Sequence, residues 1–170
     1  MQAAKCMNDS PMPHIQWEWK RFAELAPAEL YAMLAARAEV FVVEQSCVFQ
    51  DADGLDPFAW HLLGWSGPEE DRALAAYLRL IEPGRKYAEP SIGRVLTTAA
   101  FRRTGLGRAG MSEGLARSAM LYPGSPVRIG AQRRLERFYM ELGFRTVSEP
   151  YDEDGISHVE MLRLDDGLRR

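Results

Sequence analysis

Cysteine is scarce in this sequence, and long apolar runs are absent. Only Cys6 and Cys47 occur in 170 residues, too few for a disulfide framework and too far apart for a structural zinc site with clustered ligands. Apolar runs such as residues 40–43 end after a few residues, well short of the ~20 residues that a membrane-spanning helix needs. We therefore expect two free thiols and no membrane span.

The net charge of the chain is also small. The net charge of −3 argues against a nucleic-acid coat or a polybasic membrane binder. Hydrophobic residues make up 46% and charged residues 26%, enough to build a full core in one domain. No secretory signal is visible, so we expect a cytoplasmic protein. We predict one domain at residues 15–164, a disordered tail at 1–14 and a C-terminal tail at 165–170.

Apolar periodicity and turn residues predict the elements. Strands are expected at 15–20, 58–65, 74–81, 91–98, 127–131, 145–151 and 156–164, and helices at 27–43, 105–120 and 133–142. An Asp-Gly pair at 154–155 predicts a closing hairpin, and the loop at 46–57 is rich in Asp and Gly. The pattern favours an α/β or α+β fold around a mixed sheet.

The segment at 92–108 is the most informative stretch, because it combines a strand, a basic turn with two glycines and the start of a helix. Glycines let backbone N–H groups approach an anion, and a helix N-terminus carries partial positive charge. Arg102, Arg103 and Arg108 add charge-assisted donors. The segment therefore predicts a phosphate or pyrophosphate site.

Three phosphate-binding patterns compete for this segment. A P-loop needs Lys and then Ser or Thr after its last glycine, but Arg108 follows Gly107. Gly105, Gly107 and Gly110 match G-x-G-x-x-G, yet the acidic residue that a dinucleotide fold needs ~20 positions later is missing. The third pattern is Arg-x-x-Gly-x-Gly, formed by Arg102, Gly105 and Gly107.

This third pattern resembles the pyrophosphate motif of the GNAT superfamily of acetyl-CoA-dependent N-acetyltransferases. The helix at 135–144, with Tyr139 in a Tyr-x-x-x-Gly-Phe pattern, also resembles that superfamily. Four further segments are similar to its ElaA subfamily: 37–45, 49–56, 61–65 and 151–156. The resemblance implies a GNAT-like acyl-CoA N-acyltransferase fold, with a mixed, mostly antiparallel twisted sheet flanked by helices and a C-terminal β-hairpin.

The resemblance also implies where acetyl-CoA binds. The pantetheine arm would bond to the main chain of the strand at 95–97, and the pyrophosphate to amides of residues 103–108. Gln132 stands where the superfamily more often has Asn, and Arg103 where it often has glycine. The predicted contacts are Val95, Leu96, Thr97, Arg102, Arg103, Thr104, Gly105, Leu106, Gly107, Arg108 and Gln132.

Transfer to an amine needs a donor to the oxyanion, an acid for the departing thiolate and a base. The main chain at 95–97 is the candidate oxyanion donor, and Tyr139 is the candidate acid, since a phenol of pKa ~10 is protonated at neutral pH. The strand at 92–98 has no carboxylate, so the base is chosen among Glu44, His61, Glu149 and His158. We favour Glu44; His61, in an apolar strand, fits a structural role better.

The loop carboxylates Asp51, Asp53 and Asp56 suggest calcium, but an EF-hand count from Asp51 places leucines at two ligand positions. We expect no metal site. Solvated turn carboxylates are the default, and contact with a cationic amine is the alternative. Cys47 is expected to be a packed residue.

The function predicted is N-acetyl transfer from acetyl-CoA to an amine of a small molecule or a protein, by a monomer or homodimer without nucleic-acid partners. A non-catalytic CoA- or nucleotide-binding sensor remains open, and Arg37, Phe41 and residues 51–56 faintly suggest an acyl-homoserine-lactone synthase. Residues 94–145 hold ten arginines against three glutamates, so this region is basic and the rest of the chain is acidic. A polyanionic donor would bind the basic region.

Overall fold

A computed structural model describes residues 14–164 and places them in one mixed sheet with helices on both faces. The predicted tails, except residue 14, and Cys6 lie outside the described residues. The strands are β1 (Gln16–Arg21), β2 (Ala59–Ser66), β3 (Ala73–Ile81), β4 (Ser91–Thr97), β5 (Val127–Gln132), β6 (Arg145–Thr146), β7 (Tyr151–Glu153) and β8 (Ile156–Arg163). The helices are α1 (Pro27–Arg37), α2 (Leu106–Leu121) and α3 (Glu136–Met140).

The sheet has the order β1-β2-β3-β4-β5-β8-β6, and β7 also pairs with β8. All neighbours are antiparallel except β4 and β5, which are parallel. This arrangement confirms the mixed, mostly antiparallel sheet and the closing hairpin. Within residues 14–164, no helix is long and apolar enough to cross a bilayer.

Side chains of β2 and β3 alternate between two apolar layers, as the strand period of two requires. Leu62 and Leu78 lie in the core cluster that includes α2, and Leu63 and Tyr77 lie in the cluster that includes α1. At Gly114 of α2, a Cβ atom would lie only 3.0 Å from the Leu78 side chain. The glycine therefore lets α2 approach the sheet closely.

The parallel pair β4 and β5 opens the sheet. Its register in the described chain is a single pair, Ser91 with Arg128, and the Arg128 amide also donates to the Pro90 carbonyl. Beyond this point the strands diverge, so one edge of β4 after Ser91 has no strand partner in the described chain. This divergence creates the cleft described below.

The first predicted helix, at 27–43, is helical throughout but changes type. It is α-helical to Arg37, and Ala38–Val43 is a π-helix whose last turn is closed by the Glu44 amide bonding to the Glu39 carbonyl. A π-turn bonds each residue to the fifth before it instead of the fourth. Apolar spacing over so short a segment does not distinguish the two, which is why the sequence missed the change.

Two other predicted elements are corrected by the structure. The expected strand at 145–151 is split into β6 and β7, because Pro150 has no N–H to donate and the Ser148 hydroxyl takes a backbone role by accepting from the Glu160 amide. The expected helix at 133–142 begins as a 3₁₀ turn, and only its centre is α-helical. Its end at Gly143, where φ is +88°, agrees with the predicted glycine terminus.

Candidate active site

The cleft between β4 and β5 has a volume of about 790 Å³. Its walls are the π-helix, β4, β5, α3 and the turn between β7 and β8. Eight of the predicted site residues line it: Glu44, Val95, Leu96, Thr97, Arg102, Gly107, Gln132 and Tyr139. The structure therefore brings the candidate acid, the candidate base and part of the candidate donor site into one cavity.

The other five predicted donor contacts, Arg103, Thr104, Gly105, Leu106 and Arg108, do not line the cleft. They belong to the turn at its mouth. The Leu106 side chain is 2% exposed and packs in the core, so only its main chain could meet a ligand. The Arg108 guanidinium instead bonds to the Glu141 carboxylate at 2.6 Å.

Residues 102–107, called the phosphate turn below, have a backbone suited to an anion. Gly105 precedes α2 with φ of +88°, and no side chain caps this helix end. Among the described residues, the amides of 103–107 have no hydrogen-bond acceptor. Uncapped amides at a helix N-terminus carry partial positive charge, so the turn fits a phosphate group.

Arg103 stands where the resemblance leads us to expect glycine, and its backbone is left-handed. Its φ is +66°, in the left-handed region that costs a residue with a Cβ atom ~1–2 kcal/mol. The turn keeps the conformation that glycine would adopt, and Arg103 adopts it as well. Arg103 therefore adds a positive charge to the phosphate turn at a position with a left-handed backbone.

Arg102 connects the phosphate turn to two walls of the cleft. Its Nε donates to the Thr97 carbonyl at 3.2 Å, at the end of β4. Its Nη2 donates to both carboxylate oxygens of Glu44, at 2.9 and 2.6 Å. The candidate base and a candidate donor contact therefore form an ion pair with each other.

β4 contributes main-chain groups through a bulge. Tyr77 pairs with Leu96 and Arg79 pairs with Gly93, so neither Arg94 nor Val95 has a register partner on β3. Arg94 has φ of +53°, and such a bulge releases backbone groups from the ladder. The sequence reasoning missed this bulge, because the left-handed residue is an arginine and the neighbouring Gly93 does not have a positive φ.

Tyr139 lies in an apolar wall of the cleft and is 7% exposed. Its ring makes edge contacts with Phe138 and Phe144 at centroid distances of 5.1 and 6.0 Å. Burial raises the pKa of Tyr139 to about 12, because the apolar surroundings disfavour the phenolate. Its hydroxyl has no hydrogen-bond partner among residues 14–164, so the proton is available to a ligand.

Gln132 ends β5 on the side of the cleft facing the π-helix. Its Nε2 donates to Gln45 Oε1 at 2.9 Å, and its Oε1 accepts from Arg134 Nε at 2.9 Å. Through these bonds the side chain ties β5 to the segment that follows the π-helix. Its position on the cleft wall is the one expected from the sequence.

Two of the four candidate bases lie in the cleft and two lie outside it. Glu44 and His158 line the cleft, while Glu149 is exposed outside it. His61 is fully buried away from the cleft, and both ring nitrogens are bonded, to the Tyr77 hydroxyl at 2.8 Å and the Asp56 carbonyl at 3.1 Å. Burial lowers the pKa of His61 to about 4. The structural role expected for His61 is confirmed.

The prediction that Asp51, Asp53 and Asp56 are solvated is wrong for Asp51 and Asp56, whose side chains are 10% and 9% exposed, while Asp53 is exposed but paired. These carboxylates form what we call the arginine clamp with three arginines. Five pairs are 2.6 or 2.7 Å long: Arg37 with Asp51 and Asp56, Arg79 with Asp53 and Asp56, and Arg94 with Asp51. A sixth pair, Arg94 with Asp53, is 3.4 Å long. Arginine guanidinium groups thus bond to the carboxylates that were the alternative contact for a cationic amine.

The arginine clamp also changes the ionisation of its carboxylates. Burial alone would raise the pKa of Asp56, but the adjacent Arg37 and Arg79 lower it below its ordinary value. Burial would also raise the pKa of Asp53, but Arg79 lowers it below its ordinary value. Sequence composition gave no sign of the clamp, because its partners come from α1, β3 and β4, far from the loop in sequence.

Charge in the basic region is partly neutralised by contacts that composition did not reveal. Arg94, Arg102 and Arg108 all bond to carboxylates, as does Arg128, which pairs with Glu89 and Glu160. The predicted basic region at residues 94–145 therefore has less unpaired positive charge than its composition indicates. The groups that remain for an anion are the acceptor-free amides of the phosphate turn.

Cys47 occupies the cleft wall as a packed residue, as expected. It is 6% exposed, and its thiol donates to the Asp154 carbonyl at 3.3 Å. In residues 14–164, no group of three or more His, Cys, Asp and Glu side chains is arranged to hold a metal ion.

Comparison with known proteins decides the family. Residues 68–164 match the model of the acetyltransferase (GNAT) domain. The chain belongs to the GNAT acetyltransferase family. A UPF0039 protein of Synechocystis is 46% identical over 148 residues, which cover 87% of this chain and 94% of that protein. Protein ElaA of Escherichia coli is 40% identical over 151 residues, which cover 88% and 96%.

The structural comparison gives the same result. The crystal structure of an acyl-CoA N-acyltransferase from Pseudomonas aeruginosa superposes with a TM-score of 0.82 at 41% identity, covering 88% of this chain and 99% of that one. The resemblance to the ElaA subfamily and the GNAT fold expected from the sequence are confirmed. Membership of this family implies an acyl-CoA donor and an acceptor substrate.

Proposed function

We propose that this GNAT protein is an acetyl-CoA-dependent N-acetyltransferase that acetylates a primary amine of a small molecule or a protein. One observation carries the proposal: β4 and β5 diverge after a single paired residue and open a cleft with the phosphate turn at its mouth and Tyr139 inside. Acetyl-CoA carries a pyrophosphate and a thioester. The phosphate turn at the mouth suits the pyrophosphate, and the cleft with its buried proton donor suits the thioester.

The donor would be held mainly by main-chain groups. The amides of 103–108 would bind the pyrophosphate together with the guanidinium groups of the phosphate turn, because the amides of 103–107 have no acceptor among the described residues. The free edge of β4 at 95–97 would bond to the pantetheine arm, and Gln132 would contact it from β5. Because these contacts are backbone bonds, they depend on the path of β4 more than on its side chains.

Acetyl transfer would proceed by direct attack. The amine nitrogen bonds to the thioester carbonyl carbon, the carbon–sulfur bond breaks, and no covalent intermediate forms with the enzyme. Main-chain amides at 95–97 would stabilise the oxyanion, and Glu44 would take the proton from the amine. Tyr139 would donate its proton toward the departing sulfur.

The proposal is tested by calorimetry with acetyl-CoA and a thiol-release assay over a panel of amines. We expect acetyl-CoA to bind and at least one amine class to release CoA thiol. Propionyl- and longer acyl-CoA in the same assay test the preference for acetyl. Binding without turnover across the panel would favour the sensor alternative, and absence of binding would overturn both.

A further inference from the structure

Two residues with separate proposed roles are bonded to each other at the mouth of the cleft. Arg102 is the first residue of the phosphate motif, and Glu44 is the proposed base. Arg102 Nη2 contacts both Glu44 oxygens, while Arg102 Nε is held by the Thr97 carbonyl at 3.2 Å. While this pair persists, the carboxylate faces a cation instead of an incoming amine.

The geometry of this pair makes it exchangeable. Arg102 Nη2 alone donates to both Glu44 oxygens. In the strongest arginine–carboxylate contacts, two nitrogens each donate to one oxygen. The Arg102 and Glu44 side chains are 43% and 30% exposed, and ion pairs of this kind contribute little net free energy in water. A ligand that offers phosphate oxygens beside Arg102 competes for the same nitrogen.

The two partners differ in how firmly they are placed. The Glu44 main chain is fixed by the π-helix, through its amide bond to the Glu39 carbonyl at 2.9 Å. The Arg102 side chain is 43% exposed and lines the same cleft as Gly107. Release of the pair would therefore leave Arg102 Nη2 for phosphate oxygens at the phosphate turn and leave Glu44 at the cleft wall.

We infer that the Glu44–Arg102 ion pair couples donor binding to base activation. The pyrophosphate of the donor takes Arg102 Nη2 from Glu44, and the released carboxylate then accepts the proton of the acceptor amine. Glu44 thus competes with the donor for Arg102 before it acts as the base. This inference rests on the proposed function, but its central prediction concerns donor affinity alone.

Calorimetry with acetyl-CoA tests the coupling in wild type, Glu44→Gln, Arg102→Gln and the double variant. Because Glu44 competes for Arg102, Glu44→Gln should tighten acetyl-CoA binding roughly two- to fivefold, the range expected of an exposed ion pair. The same substitution in the Arg102→Gln background should leave the affinity unchanged. Glu44→Ala provides a second variant with the same expected direction.

Two controls separate this effect from a general loss of negative charge. Glu113→Gln removes the same charge from an exposed position on α2, about 10 Å along the helix from its start, and should not change acetyl-CoA affinity. S-acetyl-pantetheine, which has no pyrophosphate, should bind wild type and Glu44→Gln equally. Melting curves confirm that each variant is folded.

The outcomes also distinguish this inference from the proposed function. No gain in Glu44→Gln, an equal gain in Glu113→Gln, or a gain that persists without Arg102 would overturn the coupling and leave the proposed function intact. Failure of wild type to bind acetyl-CoA would overturn the proposed function and the coupling with it.

Discussion

At the scale of single residues, Tyr139 shows what burial does to a proton donor. The pKa of about 12 exceeds the ordinary value because the phenol lies among Phe138, Phe144 and other apolar groups. The hydroxyl is therefore protonated throughout the neutral range and can donate to sulfur as negative charge develops there. Its lack of a partner among the described residues leaves that bond for the substrate.

We expect Tyr139→Phe to lower kcat about 10²- to 10⁴-fold, the usual contribution of a positioned general acid. The phenyl ring keeps the packing, so acetyl-CoA affinity should change less than twofold. Thiol release and calorimetry on the same preparations measure the two quantities. Tyr122→Phe is the control, because Tyr122 lies outside the cleft lining and should give wild-type kcat. Wild-type kcat in Tyr139→Phe would remove Tyr139 from the mechanism.

At the scale of elements, the sequence predicted where the main helices and strands lie but not the π-helix, the β4 bulge, the split at 145–151 or the 3₁₀ turn at 133–135. Local signals such as the strand pattern at β1 and the glycine at 143 depend on a few neighbouring residues, and their predictions are confirmed. The π-helix and the β4 bulge depend on how distant elements pack. No short pattern at residues 38–43 or 93–95 encodes that packing.

The same distinction explains the errors at the loop of residues 46–57. Its composition is that of a solvated turn, and that prediction was wrong because the arginines that bury its carboxylates come from three other elements. In the structure, Arg37 of α1 is 0% exposed. Arginine is almost never fully buried unless it is paired, but the partner is identified only in three dimensions.

The arginine clamp makes a prediction for this loop. Asp56 bonds to two buried guanidinium groups, and removing one partner of a buried pair is strongly destabilising. Asp56→Asn should lower the free energy of unfolding by about 3 kcal/mol in urea titrations. Glu69→Gln, which removes an exposed partner of Arg72, should change it by less than about 1 kcal/mol. Equal effects in the two variants would contradict a structural role for the clamp.

At the scale of the whole molecule, stability should depend on pH through the buried centre of the sheet. His61 has a folded-state pKa of about 4 against an ordinary value of 6.5. Between these values the unfolded chain binds a proton that the folded protein does not, so stability decreases as pH falls through that window. Below about pH 4, Asp53 and Asp56 add to the loss, because their folded pKa values are lowered and acid protonates the unfolded chain first.

We expect the free energy of unfolding to fall by roughly 3 kcal/mol between pH 6.5 and 4 on account of His61, at about 1.36 kcal/mol per pKa unit. Urea titrations across this range in wild type and His61→Gln measure the difference. The amide of Gln can bond to both the Tyr77 hydroxyl and the Asp56 carbonyl, yet it does not titrate, so the variant should have a flatter profile whatever its absolute stability. Parallel profiles for wild type and His61→Gln would show that the buried histidine does not set the acid stability of this fold.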